Sequence, residues 1–217
     1  KKGNKIILES TSPVGTTEKI YSIILEKKGF KDGDIFMAYC PERVLPGNIV
    51  HELKNNERII GGINSSSSIK IKEIYKNICE SEIRITDCKT AELVKIVENS
   101  YRDINIAFAN ELSLISDNLG INVYELISFT NNHPRVNILK PSCGVGGHCI
   151  AVDPWFLISQ FPEESKIMQL ARKTNLDKTK WVISKIDFFI KNNFKKKDIK
   201  IGIFGITYKP NVNDLRE

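Results

Sequence analysis

Residues 90–119 read TAELVKIVENSYRDINIAFANELSLISDNL, and apolar side chains fall at 93, 96, 97, 101, 104, 107, 108, 112, 115 and 119. That spacing follows the 3.6-residue period of an α-helix and keeps one stripe of the surface apolar over about eight turns. The segment is therefore one long helix. A helix of about 30 residues is far longer than the globular mean, so this one needs a partner helix or a bridging role between domains.

Working back from the helix, the first 87 residues alternate short apolar runs with amphipathic stretches, the pattern of a parallel sheet flanked by helices. The strands are expected at Lys5–Glu9, Ile35–Tyr39, Arg58–Ile60 and Glu82–Thr86. Thr16 or Thr17 is expected to cap a helix that runs to Lys28 and stops at Gly29. The cluster Asn64-Ser65-Ser66-Ser67-Ser68 precedes Ile69, Ile71, Ile74 and Ile78, so it reads as a helix cap and not as a linker.

Working forward, a second helix is expected from Val123 to Phe129, then a loop over 130–148 rich in Asn, Pro and Gly. Helical patterns return at Pro154–Ile158 and at Glu164–Lys191, and Lys200–Gly205 reads as a strand turning at glycine. There is no internal repeat. The fold class is α/β.

The chain has 217 residues with 32 Lys+Arg against 26 Asp+Glu, 41% hydrophobic and 27% charged, and a pI near 9. This composition excludes disorder, collagen-like repeats and a disulfide miniprotein, and no apolar run is long enough for a transmembrane helix. The basic residues are spread along the chain, and the one tight run, Lys195-Lys196-Lys197, reads as a solvated helix end or turn. Neither a nucleic acid nor a membrane is expected as a partner. Five cysteines at irregular spacing (40, 79, 88, 143 and 149) imply neither a disulfide framework nor a zinc site. They suit a reducing cytoplasm, and no metal is expected.

Three segments carry candidate chemistry. In CGVGGHCIAVDP (143–154), three glycines within four residues let the backbone approach a ligand and deliver Cys149 beside a helix start, where a thiol's pKa can fall. The segment is not a phosphate loop, because no Lys-Ser/Thr pair follows; a buried structural cysteine after a glycine turn is its plainer reading. On the long helix, Lys95, Asn99 and Arg102 share a face at i, i+4 and i+7, and a lysine with an asparagine can donate to an oxyanion. Alone, that pattern is an ordinary solvated face. Glu42 and Arg43 in AYCPERVLPG (38–47) follow a strand, where sites in open α/β sheets lie, though for the segment alone a surface turn is the better reading.

In one order along the chain stand ESTSPVGT (9–16), PERVLPG (41–47), AELVKIVENSYRDINIAFANE (91–111), GVGGHCIAVDP (144–154) and GIFGITYKPNVNDLR (202–216). Together they resemble the UDP-glucose/GDP-mannose dehydrogenase family, NAD-dependent enzymes that oxidise a nucleotide-sugar alcohol twice to a carboxylate. More narrowly, AYCPERVLPGNIVHEL, SYRDINIAFANELSLISDNLGINVYELI, NHPRVNIL and GVGGHCIAVDPWF look like the branch acting on UDP-N-acetyl-D-mannosamine.

The resemblance implies roles position by position. Cys149 matches the nucleophile, Asp153 an aspartate that helps activate water, and Lys95 with Asn99 the oxyanion-stabilising pair. Glu42 matches a base in the final hydrolysis, while Thr11 and Arg216 match NAD contacts. The nucleotide sugar would meet Arg43, Val44, Lys95, Asn99, Arg102, His133, Arg135, Gly146, Tyr208 and Lys209. The resemblance implies part of a Rossmann-like NAD domain at 1–87 and a central long-helix dimerisation domain with the catalytic loop at 88–195. The start of a second Rossmann-like, UDP-sugar domain falls at 196–217. It also implies a homodimer built on the long helix, with an arginine at position 135 reaching the neighbouring site.

Three departures qualify it. Glucose-type members have a second glutamate where Pro46 stands, Cys143 stands where Pro or a small residue is expected, and no G-x-G-x-x-G occurs in the chain. The expectation is a piece of a longer enzyme, inactive by itself, whose parent oxidises UDP-N-acetyl-D-mannosamine at C6. UDP-N-acetylglucosamine or UDP-glucose as substrate, or a dead dimerisation remnant, are the rival readings.

Overall fold

The computed structural model describes residues 1–44, 48–194, 199–205 and 207. Two compact units divide between Glu98 and Asn99.

The first unit holds strands β1 (Lys5–Leu8), β2 (Phe36–Tyr39), β3 (Arg58–Gly62) and β4 (Ile83–Asp87), in that order across one sheet. Helices α1 (Thr16–Lys28), α2 (Ile49–Asn55) and α3 (Ser65–Tyr75) connect them. The side-chain period of two decides which helix each strand residue meets. Ile6 and Met37 pack with Tyr21 and Ile24 of α1, whereas the next residues, Ile7 and Ala38, pack with Ile71 and Tyr75 of α3. The two helices therefore cover opposite faces.

The sheet is mixed, not wholly parallel as the pattern predicts. β1 and β2 are parallel and so are β3 and β4, but β2 pairs with β3 antiparallel through Ala38↔Gly62 and Tyr39↔Gly61. A parallel connection needs a crossover helix packed back on the sheet. Between β2 and β3 the one described helix is α2, which buries no residue. Without that packing, the chain returns in the opposite direction.

The cap of α1 also differs from expectation. Its N-cap is Gly15, with no capping side chain of its own. Instead, Glu92 accepts from the Gly15 amide at 2.6 Å, the Thr17 amide at 2.8 Å and the Thr17 hydroxyl at 2.6 Å. The Asn64 cap of α3 forms as read from the sequence, its side chain accepting from the Ser67 amide.

Helix α4 runs unbroken over Cys88–Leu119. From Asn99 onward the second unit adds α5 (Val123–Thr130), α6 (Pro154–Gln160) and α7 (Lys166–Asn193). Buried contacts ascend both α4 and α7 together: Asp103 with Arg172, Asn110 with Asn175, and Ser113 with Lys178. The two helices therefore run in the same direction. Their contact is polar, and Val97, Tyr101, Phe108, Ile115 and Leu119 of the apolar stripe stay exposed.

The strand expected at Lys200–Gly205 is absent: the described residues there form no ladder, and Phe204 is 99% exposed. A strand needs a neighbour to exchange backbone hydrogen bonds with, and no described residue supplies one. No helix among the described residues is long and apolar enough to cross a membrane.

Candidate active site

In the second unit, the glycine loop is held at its first residues. The Ser142 amide donates to Asn110 Oδ1 at 2.8 Å, and the Cys143 carbonyl accepts from Thr179 Oγ1 at 2.9 Å. A Cβ on Gly144 would lie 2.4 Å from that hydroxyl, so only glycine lets the loop come this close to α7. Gly147, with φ +82°, takes a left-handed turn that other residues rarely adopt, and Gly146 beside it is half-buried.

The Cys149 carbonyl then accepts from the Val152 amide at 3.1 Å and the Asp153 amide at 2.8 Å, closing a turn ahead of α6. The Cys149 thiol is exposed. It does not stand at a helix start, as its sequence context suggests. Asp153 holds the N-cap position, and α6 has only seven residues, so the backbone turn places the cysteine and a helix dipole does not.

Asp153 is buried, and its Oδ2 accepts from Asn99 Nδ2 at 2.5 Å. The structure thus brings two of the expected catalytic residues together. One N–H of the Asn99 amide is engaged by the carboxylate, leaving the other as the donor an oxyanion would take. Lys95 lies one turn earlier on α4 and Arg102, exposed, lies one turn later.

His133 and Arg135 sit on a loop clamped by Asn131, which donates to the Ile138 carbonyl at 3.0 Å and accepts from the Ile138 amide at 2.7 Å. Both side chains face outward and are exposed. They are 3.4 Å apart between the Arg135 amide and His133 Nδ1.

In the first unit, the loops after β1 and β2 leave the sheet side by side, joined by the Cys40 amide to the Leu8 carbonyl and the Glu42 amide to the Glu9 carbonyl. This is the carboxyl edge of a parallel strand pair, where open α/β sheets bind ligands. Thr11 lies on one loop, half-buried, and Glu42 on the other. Glu42 Oε1 accepts from the Arg43 amide at 2.7 Å and the Val44 amide at 2.9 Å. The Arg43 guanidinium is bound to Glu98 at 2.6 Å and to the Glu57 carbonyl at 3.2 Å. Tyr208, Lys209 and Arg216, like Pro46, lie outside the described residues.

The residues also test the fit of a dinucleotide. A helix start is a ready anion site, but the α1 donors are already taken by the Glu92 carboxylate. At the start of α1 the Glu92 carboxylate thus holds the Gly15 and Thr17 amides that a pyrophosphate would need.

Residues 1–79 match the NAD binding domain of the UDP-glucose/GDP-mannose dehydrogenase family, and residues 89–177 match its central domain. The chain belongs to this family. Its relatives include the UDP-N-acetyl-D-mannosamine dehydrogenase of Escherichia coli strain K12, 48% identical over all of this chain and 55% of the relative. The enzyme of that name from Methanocaldococcus jannaschii is 52% identical over 99% of this chain and 48% of its own length. Among solved structures, the Pyrococcus horikoshii UDP-D-ManNAc dehydrogenase superposes with a TM-score of 0.93 at 39% identity, covering 99% of this chain and 52% of the other. The chain spans about half the length of these relatives.

Sequence reading missed the Glu92 cap, the Arg43–Glu98 pair and the whole polar contact between α4 and α7. The last left a faint signal: Asp103 and Asn110 lie seven residues apart and so share one face of α4, and Arg172, Asn175 and Lys178 recur every three residues on α7.

Proposed function

We propose that this chain forms part of a UDP-N-acetyl-D-mannosamine dehydrogenase, which oxidises C6 of its nucleotide sugar to the carboxylate with water and two NAD+ in the cytoplasm. The observation that carries the reading is identity near one half over the whole chain to relatives of that name in a bacterium and an archaeon. Residues 1–87 then contribute to the NAD domain, 88–195 form the central domain, and 196–217 begin the UDP-sugar domain.

NAD+, when bound, accepts two electrons in each of two oxidations, and Thr11 and Arg216 are the proposed contacts to it. Cys149 adds its sulfur to the C6 aldehyde, forming a C–S bond while the carbonyl oxygen becomes an alkoxide. Lys95 and Asn99 donate to that oxygen as charge develops. After loss of a second hydride, the carbonyl returns as a thioester. Asp153, oriented by Asn99, takes a proton from water as it attacks the thioester, with Glu42 as a second base. The C–S bond breaks, the acid leaves and Cys149 is regenerated. Covalent capture keeps the aldehyde from escaping.

Arg43, Val44, Arg102, His133, Arg135, Gly146, Tyr208 and Lys209 are the proposed nucleotide-sugar contacts. Pairing with a second copy through α4 is part of the proposal, because the exposed apolar stripe offers it a contact face. Assay of the full gene product tests the reading: two NADH should form per uronic acid from UDP-N-acetyl-D-mannosamine. A site that hydrogen-bonds a substrate group rejects analogues lacking it. A comparable kcat/KM on UDP-glucose would overturn the choice of sugar.

A further inference from the structure

Five side chains of the second unit grip the loop that carries Cys149 at both ends. Four of them form an unbroken hydrogen-bonded path from the start of the loop to its end. The Ser142 amide donates to Asn110 Oδ1 at 2.8 Å, and Asn110 Nδ2 donates to Asn175 Oδ1 at 2.9 Å. Asn175 Nδ2 donates to Asp103 Oδ1 at 2.8 Å, and Arg172 donates to the same oxygen at 2.8 Å. Arg172 also reaches the Ile150 carbonyl at 3.5 Å, next to Cys149. Thr179 adds the second hold on the start of the loop, through the Cys143 carbonyl.

The path has a polarity, and Asp103 sets it. A carboxylate only accepts, so Asn175 must turn its nitrogen to Asp103 and its oxygen to Asn110. Asn110 must then turn its nitrogen to Asn175, which leaves its oxygen for the loop amide. Reversing either amide would set oxygen against oxygen. One buried charge thereby fixes which atom meets Ser142.

Helix packing alone does not call for this arrangement. Apolar residues of similar volume generally pack two helices as well as a buried ion pair does. Here Asp103, Asn110, Arg172 and Asn175 are all buried, and Asp103 Oδ2 and Arg172 Nε have no hydrogen-bond partner among the described residues. Burial pushes the Asp103 carboxyl up from its ordinary value, against the pull of Arg172. A loop with three glycines between its anchors would otherwise sample many backbone states. The polar groups do for the loop what an apolar contact cannot: they bind its backbone at two points of fixed separation.

We infer that Asp103, Asn110, Arg172, Asn175 and Thr179 are positioning residues that set the span of the 142–150 loop and so place the Cys149 sulfur. The inference rests on the reading of Cys149 as nucleophile, and it adds that α7 acts on the chemistry without touching substrate.

The test uses the full gene product with NAD+ and the UDP-sugar, comparing Thr179→Val, Thr179→Ser and Asn110→Asp. Thr179 is exposed next to its partner, so losing its hydroxyl leaves the fold intact even where Asn110→Asp does not fold. Thr179→Val should lower kcat for acid by about tenfold and leave both KM values within about threefold, since misplacing a reacting group by a fraction of an ångström acts on the chemical step. The alkylation rate of Cys149 by iodoacetamide should shift in the same variant, and Thr179→Ser should restore both. Unchanged kcat and unchanged alkylation in folded Thr179→Val and Asn110→Asp would overturn the inference. Acid formation at the parental rate by Cys149→Ser would instead overturn the nucleophile, while the alkylation of Cys149 in the Thr179 variants would still judge the positioning.

Discussion

At the scale of the residue, two exposed cysteines bracket one glycine loop, and they differ in what holds them. Cys143 is fixed by its carbonyl to α7, whereas Cys149 sits in a closed turn that also places Asp153 against Asn99. The proposed nucleophile therefore has a carboxylate of fixed orientation four residues away. Cys149→Ser in the full gene product should bind both ligands yet lose acid formation by at least about 10³-fold, equivalent to roughly 4 kcal/mol of barrier. Cys143→Ser should stay near the parental rate. Quantifying the acid made by each variant decides the assignment, and a collapse confined to Cys143→Ser would reverse it. Arg43 carries a different lesson: its guanidinium is already paired with Glu98, so contact with a pyrophosphate would require exchange of one anion for another.

Elements depend on partners that the linear sequence does not place nearby. The start of α1 has no capping side chain in its own segment, and the orphan amides are satisfied from α4 by Glu92, 75 residues further along in the case of Thr17. Glu92→Ala would leave two amides and a hydroxyl at the start of α1 without their acceptor. Because an unsatisfied buried group costs about 1–3 kcal/mol, a total loss of about 2–4 kcal/mol is expected, seen as a lower midpoint in urea. Glu92→Gln, which keeps one acceptor oxygen, should lose less. Equal midpoints for parent and Glu92→Ala would mean that water caps the helix as well as the carboxylate does. The same dependence explains the mixed sheet, where a connecting helix that buries nothing fails to direct β3 parallel to β2.

For the whole molecule, the informative feature is the reversed amphipathicity of α4. Its face toward α7 carries Asp103, Asn110 and Ser113, while Tyr101, Phe108, Ile115 and Leu119 point to solvent. An exposed apolar stripe of this length is covered in a functional protein, and a second copy of α4 is the proposed cover. Phe108→Asp with Ile115→Asp should shift the full gene product from dimer to monomer in sedimentation velocity and expose no new apolar core, since neither side chain is buried within the chain. A dimer unchanged in that double variant would place the interface elsewhere.

The sequence by itself determined most of the elements, though it did not mark α2 and it suggested a strand at Lys200–Gly205 that the described residues do not form. Long periodic runs such as 90–119, the Asn64 cap and the glycine stop after Lys28 are local choices, made by side-chain spacing and backbone preference within a few residues. It also marked Cys149, Asp153, Lys95 and Asn99 as candidates, because their motifs are contiguous. Only the tertiary structure decided which polar atoms meet. The Glu92 cap, the Asn99–Asp153 bond, the Arg43–Glu98 pair and the Asp103–Arg172 path join residues 54 to 77 positions apart. Spacing along a chain holds no record of such meetings. They follow from burial, because a polar group taken out of water must find its partner wherever the fold brings one within reach.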